Sequence, residues 1–475
     1  MRAREADVAE EPREVLPARE RLRVHEEPAQ LAMLRDPRVD LGGDRREIGR
    51  GQRARRRQRQ DTGVARELVG EHASVGPGRG PTIALRRAAA SPSSARPKGS
   101  AAPAVYNPRV EPRYSVDADI AGASTLPAAF YRDDAAFALA RERVFARSWQ
   151  WLGDLDDVAA PRSLSPRELL PGHLGEPLLL ARDGSGTLRC LSNVCTHRGN
   201  LLVRTPCRGD QIRCAYHLRR FDLAGRMTFM PAFEGARDFP SSSDDLPVVP
   251  FATWAGFGFA ALAPAVPFEH GFGDAAADLA ALPLPDLRRD PSRDRDYEVQ
   301  AHWALYVENY LEGLHIPFVH PALHDAVDDG SYATTLHRLS SVQVAHARAG
   351  GTAFAATGPA QARVAAHYWW MFPNLMINAY PWGLSINHVQ PLAPDRTRVA
   401  FRSYVADPAL VDRGAGSGLD AVEREDEAIV EAVQRGVRSR LYVRGRYSPT
   451  REQGVHHFHR LLCAYLRAPD GTAPA

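Results

Sequence analysis

The chain has 475 residues, 60 Lys+Arg against 57 Asp+Glu, 44% hydrophobic and 8% aromatic content. This length allows two or three domains, and a net charge of +3 is too small to suggest a nucleic-acid partner. No apolar run approaches the roughly 20 residues a membrane helix needs, and no apolar h-region follows the N-terminal arginines. Five cysteines, four of them within 190–214, do not read as a secreted disulfide framework. A bacterial cytoplasm, with cysteines used for metal, is expected.

Residues 1–105 stand apart. They contain no Phe, Trp or Tyr, and residues 1–100 carry 22 Arg+Lys against 15 Asp+Glu, which leaves the remainder at −4. A hundred residues without an aromatic do not readily build a core, so a disordered or misassigned N-terminal extension is expected. Residues 106–145 follow as a segment packing on the later part of the chain. Within it, Phe137, Ala138, Ala140, Val144 and Phe145 are spaced for one face of a helix over 133–145. Trp149 and Trp151 then open a stretch of short β-type runs, among them 177–181, 188–194, 248–251 and 257–262. Gly, Asp and Pro punctuate them, as in a small all-β domain over 146–265.

Two loops of that domain carry chemistry. Cys195-Thr196-His197 and Cys214-Ala215-Tyr216-His217 each offer one thiolate and one imidazole, with sixteen residues between the inner ligands. One two-iron cluster held by Cys195, Cys214, His197 and His217 fits, with both Cys on one iron and both His on the other. The alternative is structural zinc. Zinc fingers pair Cys with Cys and His with His at short spacing, and neither pair occurs here.

Residues 266–300, rich in Ala, Asp and Pro, read as a connection with one short helix. A helical pattern from Trp303 follows. It places Trp303, Tyr306, Val307, Tyr310 and Leu314 on one face and Glu308, Glu312 and His315 opposite, with Pro317 as terminator. The turn after Pro317 would bring His320 beside His315. Two imidazoles and a carboxylate form the facial triad of non-haem Fe(II) sites. An ordinary wet helix face is the alternative on these residues alone. Long alternating strands are expected over 367–405, then a final helix over 421–441 with Ile429, Val430, Val433 and Val437 as its apolar stripe. Asp426 lies at the centre of that stripe by angle, while Glu423, Glu425 and Glu427 point progressively away. A carboxylate on a buried face needs a partner or a metal. His456, His457 and His459 have no nearby acid or Cys in sequence and read as packing residues.

Together, the paired loops and the later Asn309-x2-Glu312-x2-His315-x4-His320 stretch resemble the Rieske non-haem iron oxygenase α subunits. The likeness spans roughly Tyr114 to Leu466. Phe372-Pro373-Asn374-Leu375-Met376, and Glu rather than Asp at 312, look most like the branch of choline-, carnitine- and betaine-type monooxygenases. The resemblance implies an α+β fold, with an all-β Rieske domain followed by a helix-grip catalytic domain (266–466) holding a long antiparallel sheet, and a tail at 467–475. It implies one [2Fe–2S] cluster, one mononuclear Fe(II) on His315, His320 and Asp426, and O2 as co-substrate. Glu312 would bridge a cluster imidazole of a neighbouring subunit to His315, with Asn309 one turn earlier beside the iron. A homotrimer is implied, acting on a small organic substrate. Electrons from NAD(P)H would come through a separate reductase, with or without a ferredoxin, because no nucleotide-binding fingerprint occurs in the chain. The alternative is a Rieske-type electron-transfer protein without oxygenase activity. Two positions depart from the family pattern: Ala215 where Pro is usual, and Leu218 where Gly is usual. A Cβ at 218 implies a shifted cluster potential.

Overall fold

The computed structural model describes residues 114–280, 287–355, 363–468 and 472. The extension expected over 1–105 and most of the 467–475 tail lie outside the described residues. Asp133 caps helix α1 (Asp134–Ala140) by accepting the Ala135 N–H at 2.9 Å. The expected single helix then widens into a π-helical turn over Arg141–Phe145, which turns both Val144 and Phe145 inward. Upstream, Leu126, Phe130 and Tyr131 share a core with Trp303, Val307 and Phe458.

Ten strands build the cluster-loop module: β1 (Gln150–Asp154), β2 (Ser163–Leu169), β3 (Glu176–Arg182), β4 (Leu188–Ser192), β5 (Cys207–Arg208), β6 (Ile212–Arg213), β7 (Arg220–Phe221), β8 (Met227–Phe229), β9 (Phe251–Trp254) and β10 (Phe257–Ala260). They form three small antiparallel sheets, ordered β1-β10-β9, β4-β3-β2-β5 and β6-β7-β8. Leu179, Leu191, Phe221 and Leu246 close a core directly beneath Cys195 and Cys214. The two loops are thus tips on a rigid support.

Helix α2 (Phe268–Leu279) buries Phe268, Phe272, Ala275 and Leu279, the i, i+4, i+7 spacing of a helix lying on a sheet. The sheet itself has eight strands: β11 (Arg288–Arg289), β12 (Arg295–Val299), β13 (Ala333–Leu336), β14 (Ser340–His346), β15 (Val364–Met371), β16 (Leu375–Tyr380), β17 (Gly383–Ala393) and β18 (Arg396–Val405). Its order is β11-β18-β17-β16-β15-β14-β13, with β12 also paired to β18 and every pairing antiparallel. The expected α+β fold is therefore present, with the long alternating strands where the sequence places them. Helix α3 (Trp303–Tyr310) and the short α4 (Ile316–Val319) and α5 (Pro321–Ala326) precede the sheet's main strands; α6 (Leu419–Gly436) and α7 (Gln453–Arg467) follow them.

Three expectations need correction. The helix from Trp303 does not run to Pro317: it ends at Tyr310, and Pro317 sits in the first turn of α4. The intervening loop presses on Tyr332 so closely that a Cβ on Gly313 would lie 2.7 Å from that ring. Helix α6 ends at Gly436, and its apolar stripe is not the buried face. Val430 and Val437 are buried, but Ile429 and Val433 are 40% and 43% exposed, and the inward face carries Glu423 and Gln434 instead. Nor is α6 the last helix. The Val455, Phe458, Leu462, Tyr465 spacing, which marks an amphipathic helix, forms α7, and its three histidines pack as side chains: His456 on the Asp117 carbonyl, His459 between Tyr447 and Glu308, and His457 half-buried.

Candidate metal centres

The β4 exit and the β6–β7 turn bring the four loop ligands together. Cys195 and Cys214 are buried beneath, while His197 and His217 lie nearer the surface with ring centroids 4.8 Å apart. Arg219, itself buried, latches the loops. It donates to the Thr196 hydroxyl at 2.7 Å and pairs with Asp244 at 3.2 Å, and Thr196 donates on to the Asp244 carbonyl. Burial opposes the Cys214 thiolate. The amides of Tyr216 and His217, Cys195 and the Asn200 side chain outweigh it and hold this thiol below its ordinary range.

These residues fit a two-iron cluster better than a zinc ion. His217 Nδ1 is buried without a hydrogen-bond partner among the described residues, as a ligating nitrogen would be. One thiolate and one imidazole per loop suit a cluster with both Cys on one iron and both His on the other, whereas zinc fingers pair like ligands at short spacing.

Asn200 Nδ2 stands 3.6 Å from Cys214 Sγ, within hydrogen-bond reach of sulfur. Hydrogen bonds to ligand sulfur stabilise the reduced cluster. Asn200→Ala is therefore expected to lower the cluster midpoint by about 40 mV, the one-electron equivalent of about 1 kcal/mol. An EPR-monitored redox titration reads this directly, and an unchanged midpoint would remove Asn200 from the account.

Leu218 adopts φ 60°, the left-handed conformation that glycine would take, and its N–H still reaches the Cys214 carbonyl at 3.1 Å. The Cβ costs strain rather than the loop. A left-handed non-glycine residue costs roughly 1–2 kcal/mol, against which glycine loses about 0.5–1 kcal/mol through chain entropy. Leu218→Gly should stabilise the protein by up to about 1 kcal/mol in denaturant unfolding; destabilisation would show that the half-exposed Leu218 side chain matters more than its backbone.

The second centre forms where the α3–α4 loop meets α6. His315, His320 and Asp426 place one donor atom each within 4.8 Å of one another. Asp426 Oδ1 is the point of convergence, 3.0 Å from His320 Nε2 and 3.5 Å from His315 Nε2, and it accepts from Asn309 Nδ2 at 2.5 Å. Each imidazole is oriented from behind by a carboxylate: His315 Nδ1 meets Glu312 Oε1 at 2.7 Å, and His320 Nδ1 meets Glu425 Oε2 at 2.7 Å. An imidazole that donates Nδ1–H to a carboxylate keeps its Nε2 for a metal, and two such nitrogens with one carboxylate oxygen, all within 4.8 Å, are the donor set of a divalent metal site. Burial would lower the His320 pKa, but Asp426 and Glu425 outweigh it and raise it.

Glu312 Oε2 also accepts the backbone N–H groups of Leu314 and His315, so this acid shapes the loop as well as His315. The sequence reading missed Glu425, which it turned away from the site, and Glu423, which is buried beside it. For Glu425 a signal existed, its adjacency to Asp426. Trp369, Trp370 and Trp382 are buried in the cores and do not border the cavity. Tyr306, Tyr310, Tyr332, Tyr368 and Tyr380 wall a cavity of about 100 Å³ that is partly open to solvent.

Comparison with known proteins agrees with this geometry. Residues 148–240 match the Rieske [2Fe-2S] domain and residues 287–468 the ring hydroxylating alpha subunit catalytic domain. The chain is 30% identical to the chloroplastic choline monooxygenase of Arabidopsis thaliana over 363 residues, covering 72% of this chain and 82% of that one. It is 31% identical to the carnitine monooxygenase oxygenase subunit of Escherichia coli strain K12 over 362 residues, covering 72% and 94%. Among solved structures it resembles the quaternary ammonium Rieske monooxygenase CntA with L-carnitine, at 25% identity and TM-score 0.60, covering 74% of this chain and 97% of that chain. Naphthalene 1,2-dioxygenase from Rhodococcus, 18% identical with TM-score 0.57, shares the fold. The chain belongs to the Rieske non-haem iron oxygenase α subunits. It is an enzyme of that type rather than a bare electron carrier, and its two domains imply a Rieske cluster and a mononuclear iron site.

Proposed function

We propose that this chain is the terminal monooxygenase component of a system acting on a small amine-bearing substrate, with His315, His320 and Asp426 holding Fe(II). The observation that carries this reading is the convergence of two carboxylate-backed imidazoles on Asp426 Oδ1 at the floor of an aromatic pocket. When bound on Cys195, His197, Cys214 and His217, the cluster would supply electrons singly, and the iron would supply O2 activation. Glu312 and Glu425 hold the iron-ligand imidazoles in the Nδ1–H tautomer. Asn309 fixes the rotamer of Asp426. The tyrosine walls exclude bulk water and seat the substrate. In the balance, one oxygen atom enters a C–H bond and the other leaves as water, taking up two electrons and two protons.

Those electrons come from NAD(P)H through a separate reductase, with or without a ferredoxin. A head-to-tail homotrimer completes the path, with Glu312 linking a neighbour's His197 or His217 to His315. Two features support this path: the exposed Tyr216 and Leu218 beside the cluster histidines, and the exposed Leu314 and Phe318 beside Glu312. A relative's structure is described in terms of inter-subunit electron transfer. Monooxygenation is favoured over ring dihydroxylation because the relatives at 30% and 31% identity are named monooxygenases.

Product analysis by mass spectrometry tests the reading. The holoenzyme, a surrogate reductase, NADH and O2 should convert an amine in a mixed panel to a hydroxylated or dealkylated product. A cis-diol from an aromatic would move the assignment to dioxygenation. Loaded metals with no product and no substrate-stimulated cluster oxidation would overturn it.

A further inference from the structure

Arg219 bridges the two cluster loops, a task that does not require its charge. Its side chain is only 2% exposed, so the guanidinium sits almost wholly out of water. Burying a cation is expensive unless it is paired and hydrogen-bonded. Holding Thr196 takes one donor, which Gln would supply at a lower desolvation cost. The fold instead encloses a permanent cation. The guanidinium carbon lies 5.7 Å from the ring centroid of Phe233 and 5.6 Å from that of Phe239. Phenyl faces attract a cation most where water is excluded.

The charge is placed asymmetrically. On the side of the loops, Nη1 donates at 2.7 Å to Thr196, the residue between Cys195 and His197. The Arg219 carbonyl accepts the Cys214 N–H at 2.9 Å. Phe233, which the guanidinium covers, also meets the His197 ring edge to face at 5.5 Å. On the far side, Nη2 meets Asp244 Oδ1 at 3.2 Å, and Asp244 Oδ2 turns to the exposed Ser241 N–H at 2.9 Å. The Ser241 amide and hydroxyl, together with Arg219, hold the Asp244 carboxyl below its ordinary range, so it is ionised. The pair is neutral as a whole, but its positive end faces the loops. Its negative end, 18% exposed, is the better screened. Arg198 and Arg213, the cations adjoining ligands in sequence, are exposed and screened in the same way.

We infer that Arg219 sets the potential of the two-iron cluster through its buried positive charge. Reduction adds one electron to the cluster, and a fixed cation beside it stabilises the reduced form and raises the midpoint. This rests on the reading of Cys195, His197, Cys214 and His217 as cluster ligands. The competing role is a latch whose charge is incidental.

The test is an optical redox titration of the reconstituted holoenzyme, with iron and acid-labile sulfide measured in each variant. Arg219→Gln keeps a donor for Thr196 and removes the charge. It should lower the equilibrium constant for cluster reduction about 10-fold, which is about 59 mV for a one-electron couple. Arg219→Lys keeps the charge without the forked grip and should stay nearer to wild type than Gln. Asp244→Asn loosens the same latch but removes the opposing charge, so its midpoint should rise. A latch alone would move Arg219→Gln and Asp244→Asn in the same direction. Opposite signs uphold the inference. Shifts of one sign, a wild-type midpoint in Arg219→Gln, or Arg219→Lys displaced as far as Gln would overturn it. Should Arg219→Gln take up no cluster, the other two variants decide. A raised midpoint in Asp244→Asn with a near-wild-type one in Arg219→Lys upholds the inference, and any other pattern overturns it. A wild-type chain that takes up zinc in place of iron and sulfide overturns the cluster reading itself, before any midpoint is measured.

Discussion

Asp426→Ala is expected to eliminate oxygenase turnover while leaving the cluster intact. Asp426 Oδ1 is where both imidazoles and Asn309 meet, so its loss removes the anionic member of the triad and leaves two neutral donors. Two imidazoles alone hold Fe(II) poorly. Iron content should fall from about three to about two atoms per chain, with the reddish-brown cluster spectrum unchanged, because the cluster ligands lie in a separate module with its own core. Activity should drop on the order of 10³-fold or more, the equivalent of several kcal/mol of lost metal assistance. A variant that kept its third iron and its turnover would disprove the ligand assignment.

Glu312→Gln should have the next largest effect, about 10- to 100-fold on turnover, with iron retained. Both oxygens of Glu312 act as acceptors: Oε1 for His315 Nδ1–H, Oε2 for the N–H groups of Leu314 and His315. An amide has one acceptor and one donor group, so whichever way Gln turns, its NH2 faces another donor. The loss of charge also makes His315 a weaker base. If Glu312 links the cluster of one subunit to the iron of the next, the rate of substrate-dependent cluster oxidation in a single turnover should fall together with kcat. A fall in kcat with cluster oxidation at wild-type speed would reduce Glu312 to a positioning role for His315.

These two residues were legible in the sequence to different degrees. The loop ligands and the His315–His320 pair could be found by spacing, because each pair sits within one short local segment whose reach is fixed by chain geometry. The error about the helix from Trp303 left the ligand spacing intact, since five residues span the same two donors whether the backbone between them is helical or folded as a loop. Asp426 was harder. It lies 106 residues from His320, and the buried-carboxylate argument and the family resemblance, not local spacing, singled it out. That argument reached the residue that the structure brings beside both imidazoles, from a stripe that was half wrong. Ile429 and Val433 dominate the apolar periodicity of α6, yet both lie exposed, while the face packed toward α3 carries Glu423, whose carboxylate Tyr306 engages.

The sequence by itself picked out the candidate cluster ligands and the His pair by local spacing, and the family and its α+β fold through the motifs that resemble it. Only the tertiary structure decided which carboxylates serve the site. Glu425 turns to His320, and Glu423 remains buried with one oxygen unpaired. The physical reason is that a helix sequence specifies angles around an axis, whereas the direction called inward is set by what packs against it. For α6, that is a polar pocket built by α3 and the sheet.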